Sequence, residues 1–416
     1  VTRPSTTLSP RAELVHRLAD EQGFDLCGIA PAQPSPHGAQ VRQWLAAGQH
    51  GEMDYLARDV DIRLDPRVLL PGAKAVIVVA QRYPGAGFAD QGSEEERGEP
   101  ITATPEVKPD PRSPHAEPRG DSQARIASYA VGGDYHRRMK KKIHAMCDAL
   151  RVRFPQERFR GFRGCVDTAP ILEREAALAA GLGWIGKNTM LISPLPGVGS
   201  YLLLGEIVTT LAIQPTLETE AARVPDHCGT CTRCLDACPT HCIDPAGYTL
   251  DASRCVSYLN LEHRSAIDES LHAAMGDWFA GCDVCQDVCP FNRGAEFRDQ
   301  GSEPSRGLQP RIPPPPRWSL LDILNWDEHA RRAAFQGSAL KRIKLDMAKR
   351  NALIAAGNFV RKHPDHPEAP ELRQRIAELA DERNPLTASE PALVQQTAAQ
   401  VRAMLARCAP SRPPSP

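Results

Sequence analysis

The sequence predicts an α+β multidomain fold on three observations. Helix and strand patterns alternate through an N-terminal α/β domain over residues 8–213, nine of the thirteen cysteines crowd into residues 214–296, and every segment from Ser319 onward has helical periodicity. A linker at 297–316, ending in four consecutive prolines, is a stiff extended connector between the last two parts. The 416 residues allow two to four domains and a sizeable core. Lys plus Arg (50) nearly balances Asp plus Glu (51), so net charge points to no polyanionic partner and any basic surface must be local. The opening VTRPSTTLSPRAEL shows neither a twin-arginine signal nor an apolar signal core. The apolar stretch 201–213 is interrupted by Glu206 and too short to span a bilayer. A monomer in the cytoplasm, away from membranes, is the expectation.

Residues 11–22 put Leu14, Val15 and Leu18 on one helical face, with Gly23 where a helix C-terminus favours glycine. FDLCGIA follows as a strand, and a second helix around Val41, Trp44 and Leu45 ends at Gly48. The polar turn from His50 leads to DIRLDPR at 61–67, and AKAVIVVA at 73–80 is a buried, β-rich central strand. Residues 85–124, with nine acidic and four basic residues among prolines and glycines, cannot repay the entropy of ordering and predict a disordered surface insertion. Met139, Ile143, Met146 and Leu150 form the face of an amphipathic helix entered through Gly132, Gly133 and Asp134. Lys140, Lys141 and Lys142 beside that glycine pair offer a phosphate cradle but lack a G-x-G-x-x-G or Walker pattern, and a solvated helical face accounts for them. Asp167 closes a short apolar strand, and Pro170 suits the first turn of a helix running to about Ala180. A carboxylate at a strand end above the glycine-punctuated loop GLGWIGKNT stands where active-site groups commonly sit; capping the following helix is the other role open to it.

CGTCTRCLDACP, residues 228–239, has the bacterial ferredoxin spacing C-x2-C-x2-C-x3-C-P, in which three thiolates hold one iron-sulfur cluster and the fourth crosses to a second. CDVCQDVCP, residues 282–290, lacks one cysteine of that pattern, and the lone Cys255 in DASRCVSYL supplies it. Eight thiolates then hold two 4Fe-4S clusters. Cys228, Cys231, Cys234 and Cys289 serve one, and Cys255, Cys282, Cys285 and Cys238 the other. Cys242 competes for a ligand position but has no partner in the pattern and reads as spare. Zinc knuckles also use C-x2-C pairs, though they do not usually string three cysteines in seven residues and then add C-x3-C-P twice. Paired clusters pass single electrons, so this chain uses an electron or hands one on.

In the C-terminal part, Leu340, Ile343, Met347, Ile354 and Phe359 give residues 337–363 their apolar faces, and shorter helices follow at 368–381 and 387–407. Stacked helices of this size predict a small HEAT-like repeat over 317–408. Lys341, Arg342, Lys344, Lys349, Arg350, Arg361 and Lys362 concentrate positive charge here, as a nucleic-acid surface or as a solvated helical face.

RLDP at 63–66, GGDYH at 132–136, VDTAPILERE at 166–175, GLGWIGKN at 181–188, the two cysteine runs, RCVSYL at 254–259 and KRIKLDMAKRNA at 341–352 together resemble one family, the epoxyqueuosine reductases. The resemblance implies an oxidoreductase of queuosine biosynthesis that removes the epoxide oxygen from epoxyqueuosine at the wobble base of tRNA. Cobalamin (B12) is implied between the catalytic and ferredoxin-like domains, where the nearer cluster can reduce its cobalt. Asp167 is implied as the general acid. Arg63, Ala127, Asp167, Leu191, Ser257, Cys282 and Asp283 are implied as cobalamin contacts, and Lys341, Arg342, Lys349, Arg350 and Asn351 as tRNA contacts. Some relatives carry a cysteine where this chain has Ala127. The D-x-H-x-x-G cobalamin motif is missing, so the cofactor is implied by resemblance alone, base-off and without a histidine ligand. The implied partners are an anticodon stem-loop carrying epoxyqueuosine and an external electron donor. Two alternatives share features: a cobalamin-dependent reductive dehalogenase, which usually has a twin-arginine signal and no basic tail, and an electron-transfer ferredoxin subunit, which needs far fewer than the roughly 200 residues that precede the clusters.

Overall fold

The computed structural model describes residues 8–83, 122–157, 161–292, 318–385 and 387–407. The N-terminal part contains α1 (Pro10–Glu21), β1 (Leu26–Pro31), α2 (Gly38–Ala46), α3 (Asp54–Arg58), α4 (Val60–Leu64), α5 (Pro66–Leu69), β2 (Ala75–Arg82) and β3 (Arg125–Ile126). It continues through α6 (Tyr135–Arg153), β4 (Phe162–Cys165), α7 (Glu173–Ala179), β5 (Trp184–Ile185), β6 (Leu191–Ile192) and β7 (Leu202–Thr209). Four strands form one antiparallel sheet in the order β1-β2-β7-β4. The run expected at 73–80 becomes β2, one of the two inner strands, buried on both faces: Ile77 and Val79 pack toward α1 and α6, Val76 and Val78 toward α7. The predicted face of α6, Met139 through Leu150, is buried against the sheet. Gly164 and Gly205 permit that close approach, because a Cβ on either would lie within 2.7 Å of Ile143. GLGWIGKNT is a short hairpin, β5 paired with β6, and no open loop.

The cysteine-rich part holds α8 (Arg233–Ala237), α9 (Val256–Leu261), α10 (Glu269–Met275), β8 (Trp278–Ala280) and α11 (Val284–Asp287). The C-terminal part holds α12 (Leu320–Leu324), α13 (Glu328–Ala334), α14 (Leu345–Lys362), α15 (Ala369–Leu379) and α16 (Ala392–Arg407). These two parts share one hydrophobic core, running from Val256 and Phe279 through Leu353 to Met404. The sequence division at 297–316 is therefore no division between cores, and the linker itself lies outside the described residues. So does most of the 85–124 insertion. Its last residues, 122–124, are ordered, with Gln123 bridging Ser319 and Ala124 N donating to Trp318 O at 2.9 Å. β3 continues from there to pair in parallel with β8, tying the N-terminal part to the cysteine-rich part.

Residues Met347 through Val360 of α14 are all buried, so this helix is apolar nearly all round, with four polar residues in special positions. Arg350 donates to His263 O and Ser265 O, each at 2.7 Å, and to Leu259 O at 2.8 Å. Asn351 donates to Asn260 O and Phe279 O, and Asn358 to His272 O and Gly276 O. The carbonyls they satisfy lie at the end of α9 and in the loop after it, in α10 and at its C-cap, and in β8. Lys349, also buried, pairs with Glu390. The expectation of tRNA contacts from Lys349, Arg350 and Asn351 is thereby corrected: their donors are spent on the protein interior. Among the described residues no helix is long and apolar enough to cross a membrane.

Candidate active site

Beyond the end of β4, Asp167 takes φ 44°, a left-handed conformation that few non-glycine residues adopt without support. Glu173 supplies it, accepting a hydrogen bond from Asp167 N at 2.6 Å. α7 begins at Glu173 and not at Pro170, because a tight turn from Ala169 to Ile171 intervenes, and its N-cap position is Leu172. Asp167 therefore caps no helix. Its Oδ2 lies 2.9 Å from His136 Nε2 and 3.5 Å from Arg342, with 39% of the side chain open to solvent.

His136 sits in the first turn of α6, its Nδ1 2.8 Å from Asp134, the residue that caps that helix, and its ring stacked on Tyr135. Burial disfavours the imidazolium, but hydrogen bonds to Asp167 and Asp134 outweigh it and raise the His136 pKa. Burial likewise disfavours the Asp167 carboxylate, yet His136 and the Arg342 guanidinium hold its pKa below the ordinary value. The opposite shifts place the proton they share on the imidazole and not on the carboxylate. Arg342, expected as a tRNA contact, is exposed, reaches this site from the 3-10 turn Ala339–Arg342 and also pairs with Glu262.

Beneath Asp167, Glu206 of β7 is 0% exposed with both carboxylate oxygens unpaired. It stands opposite Cys165 and, by alternation with Leu202 and Val208, on the α7 side of the sheet, where Glu173 begins that helix. Burial, then the charges of Glu173 and Asp167, hold Glu206 protonated well above the carboxylate range; burial and Asp167 also push Glu173 upward. The sequence reading gave no role to His136, Glu173 or Glu206. A single carboxylate inside the apolar run 201–213 was the available signal for Glu206.

A row of polar groups leads from Asp167 to the cysteines. Tyr55 lies within electrostatic range of Asp167, Arg342 and Arg63, and Tyr129 within range of Asp167, Arg342 and Asp283. Asp283 is buried; its Oδ2 accepts from Ser128 N and Oγ at 2.7 and 2.8 Å while Oδ1 has no partner, and burial pushes its carboxyl up to about 6. Arg63 stacks over Tyr55, with its Nε buried and unpaired. An orphaned acceptor and an orphaned donor along one row fit a bound group rich in amides, as cobalamin is. Ala127 and Cys282 belong to the same neighbourhood, since Ala127 N donates to Ala280 O and Ala127 packs on Gly281. Leu191 is buried in the core beside α7, and the Ser257 backbone N–H donates to the Cys255 thiol.

The eight cysteines of the ferredoxin pattern lie near one another, with Cys234 within electrostatic range of both Cys289 and Cys285. Cys228, Cys234 and Cys231 act on Cys289, whereas Cys282, Cys255, Cys234 and Cys238 act on Cys285. Backbone N–H groups of Leu235, Val284 and Phe291 point at Cys234, Cys282 and Cys289, an arrangement that stabilises thiolate ligands. The lysine and asparagine of GLGWIGKNT serve these loops: Lys187 donates to Gly229 O and Cys231 O, and Asn188 to Cys285 O.

A family model described as Epoxyqueuosine reductase QueG, DUF1730, matches residues 63–168, and a 4Fe-4S double cluster binding domain matches residues 227–292. The epoxyqueuosine reductase of Pseudomonas aeruginosa is 35% identical over 355 residues, covering 83% of this chain and 86% of that protein. That of Burkholderia pseudomallei is 35% identical over 362 residues, covering 85% and 83%. Among solved structures, epoxyqueuosine reductase with a tRNA-Tyr epoxyqueuosine-modified stem loop has a TM-score of 0.71 at 24% identity, covering 94% of this chain and 89% of that one. The Streptococcus thermophilus enzyme has a TM-score of 0.65 at 23% identity, covering 94% and 98%. These two likenesses concern the fold.

Proposed function

The chain belongs to the epoxyqueuosine reductase family, and from that membership we infer how its own residues divide the work. The protein is an oxidoreductase that reduces epoxyqueuosine to queuosine at the wobble position of tRNA, with cobalamin and two 4Fe-4S clusters as cofactors. Removing an epoxide oxygen to leave an alkene consumes two electrons and two protons and releases water. Cobalamin, when bound, supplies the reductive chemistry at the substrate carbon. Arg63, Ala127, Asp167, Leu191, Ser257, Cys282 and Asp283 are the residues to hold it.

The observation that carries the assignment of the proton is the His136–Asp167 bond at a strand end in left-handed backbone and open to solvent. Charge that develops on the epoxide oxygen needs a donor within hydrogen-bond reach. Asp167 is placed to deliver the proton that His136 stores, and Asp134 stabilises the imidazolium until then. Glu173 keeps the Asp167 backbone in position, with the protonated Glu206 beneath. Activity should fall as pH rises through the elevated His136 pKa, because the stored proton is lost there. Stability follows the same sign: the His136 contribution is complete below the ordinary imidazole range and is lost as pH climbs through the raised value. His136→Gln should abolish that alkaline limb of the single-turnover pH profile; an unchanged profile would remove His136 from the proton path.

The tRNA grip is read on the exposed Lys341 and Lys344 beside Arg342, with the C-terminal helices as a HEAT-like support. Lys341→Ala with Lys344→Ala should flatten the slope of log affinity against log salt by roughly 0.7–0.9 per lost phosphate contact. The same slope as wild type would place the grip elsewhere. The reaction itself is tested by mass spectrometry of nucleosides from epoxyqueuosine-containing tRNA, incubated with reconstituted protein, cobalamin and a strong one-electron reductant. Queuosine should form, and unchanged epoxyqueuosine would overturn the assignment.

A further inference from the structure

Cys242 is the cysteine that neither cluster needs, yet it is built into the cluster region. After Cys238 the chain turns back: His241 N donates to Cys238 O at 3.1 Å, and His241 takes φ 47°, a conformation that needs support from its surroundings. The turn brings Cys242 alongside Cys238, with their sulfurs 3.4 Å apart. Cys242 also makes a side-chain hydrogen bond with Cys255, so it bridges two thiols assigned to the same cluster. Its backbone is fixed by Asp251 N donating to Cys242 O at 2.8 Å and by the Ile243–Leu250 bridge. Leu235, Leu250, Cys234 and Cys285 close around the buried group. The other buried cysteines outside the cluster set, Cys27, Cys147 and Cys165, lie instead in the layers of the N-terminal sheet.

We propose that Cys242 is a substitute ligand for the second cluster: when the Cys238 thiolate is lost, the Cys242 thiolate binds the iron that Cys238 held. This rests on the ligand assignment of Cys238, Cys255, Cys282 and Cys285. One iron–sulfur bond to Cys242 forms where the bond to Cys238 is missing, and the Cys242 thiol proton passes to water. The electron count of the cluster is unchanged. The two sulfurs are 3.4 Å apart, a gap that rotation of the Cys242 side chain between staggered rotamers can close while its backbone stays in place.

The test is iron content and the electron paramagnetic resonance of the reduced, anaerobically reconstituted full-length protein. Wild type, Cys242→Ala and Cys238→Ala should each carry about eight irons, the last with an altered signal from one cluster, and the double variant about four. Cys282→Ala should also keep about four, because its charged neighbours are Cys255, Asp283 and Arg125 and no spare thiol is among them. About four irons in Cys238→Ala, confirmed in Cys238→Ser with an unchanged far-ultraviolet circular dichroism spectrum, overturns the proposal. About four in Cys242→Ala overturns the ligand assignment instead, because Cys242 would then be a resident ligand. Eight in the double variant overturns both.

Discussion

Asp167→Asn should lower single-turnover reduction of epoxyqueuosine by a factor on the order of 10² or more, while about eight irons and cobalamin binding persist. The substitution preserves shape, and asparagine is among the side chains that tolerate the left-handed φ of 44° at this position. It removes the carboxylate that accepts the His136 proton and passes it on. It also leaves Arg342 without one of its two acidic partners, so that guanidinium is held by Glu262 alone of the pair. Because the hydrogen bond to Asp167 is the larger of the two that raise the His136 pKa, the variant's imidazole should titrate lower, a shift readable by nuclear magnetic resonance independently of turnover. Near-normal turnover with that shift present would reduce Asp167 to a structural residue of the strand end.

Arg350→Ala should destabilise the protein by roughly 3 kcal/mol or more, read as a clear fall in the urea midpoint. Arg350 is 0% exposed, and burial pulls its pKa down to about 10, still charged at neutral pH. Truncation strands three carbonyls, those of His263, Ser265 and Leu259, and removes the hydrogen bonds to Asn351. Asn351 in turn holds the carbonyl of Phe279 in β8, three residues before Cys282, so the second cluster should become easier to lose. A tRNA contact would behave in the opposite way, leaving the urea midpoint alone and changing the salt response of binding. A variant as stable as wild type with weaker tRNA binding would restore Arg350 to the RNA surface.

The two predictions concern residues that sequence patterns described with unequal success. Asp167 was legible because its signals are local: a strand end, a glycine-rich hairpin beyond it and a family motif around it. What the pattern left undecided, capping against catalysis, depended on where α7 starts and on a histidine 31 residues earlier. Arg342, Lys349, Arg350 and Asn351 lie within ten residues of one another and read alike as a basic zone. Only Arg342 reaches the Asp167 carboxylate; the others face carbonyls 72 to 91 residues away in sequence, or Glu390.

The sequence by itself determined the cysteine chemistry, an inner strand of the sheet, the buried face of α6 and the family, because spacing at short range dictates which side chains share a turn, a strand face or a cluster. The tertiary structure alone decided that the cysteine-rich part and the C-terminal helices share a core, that Arg342 lies beside Asp167, that Glu206 is a buried acid whose pKa burial raises, and that Cys242 lies between Cys238 and Cys255. Those facts depend on which distant elements pack together, since burial and hydrogen-bond partners, not residue type, decide whether a charge meets solvent, another side chain or a stranded backbone carbonyl.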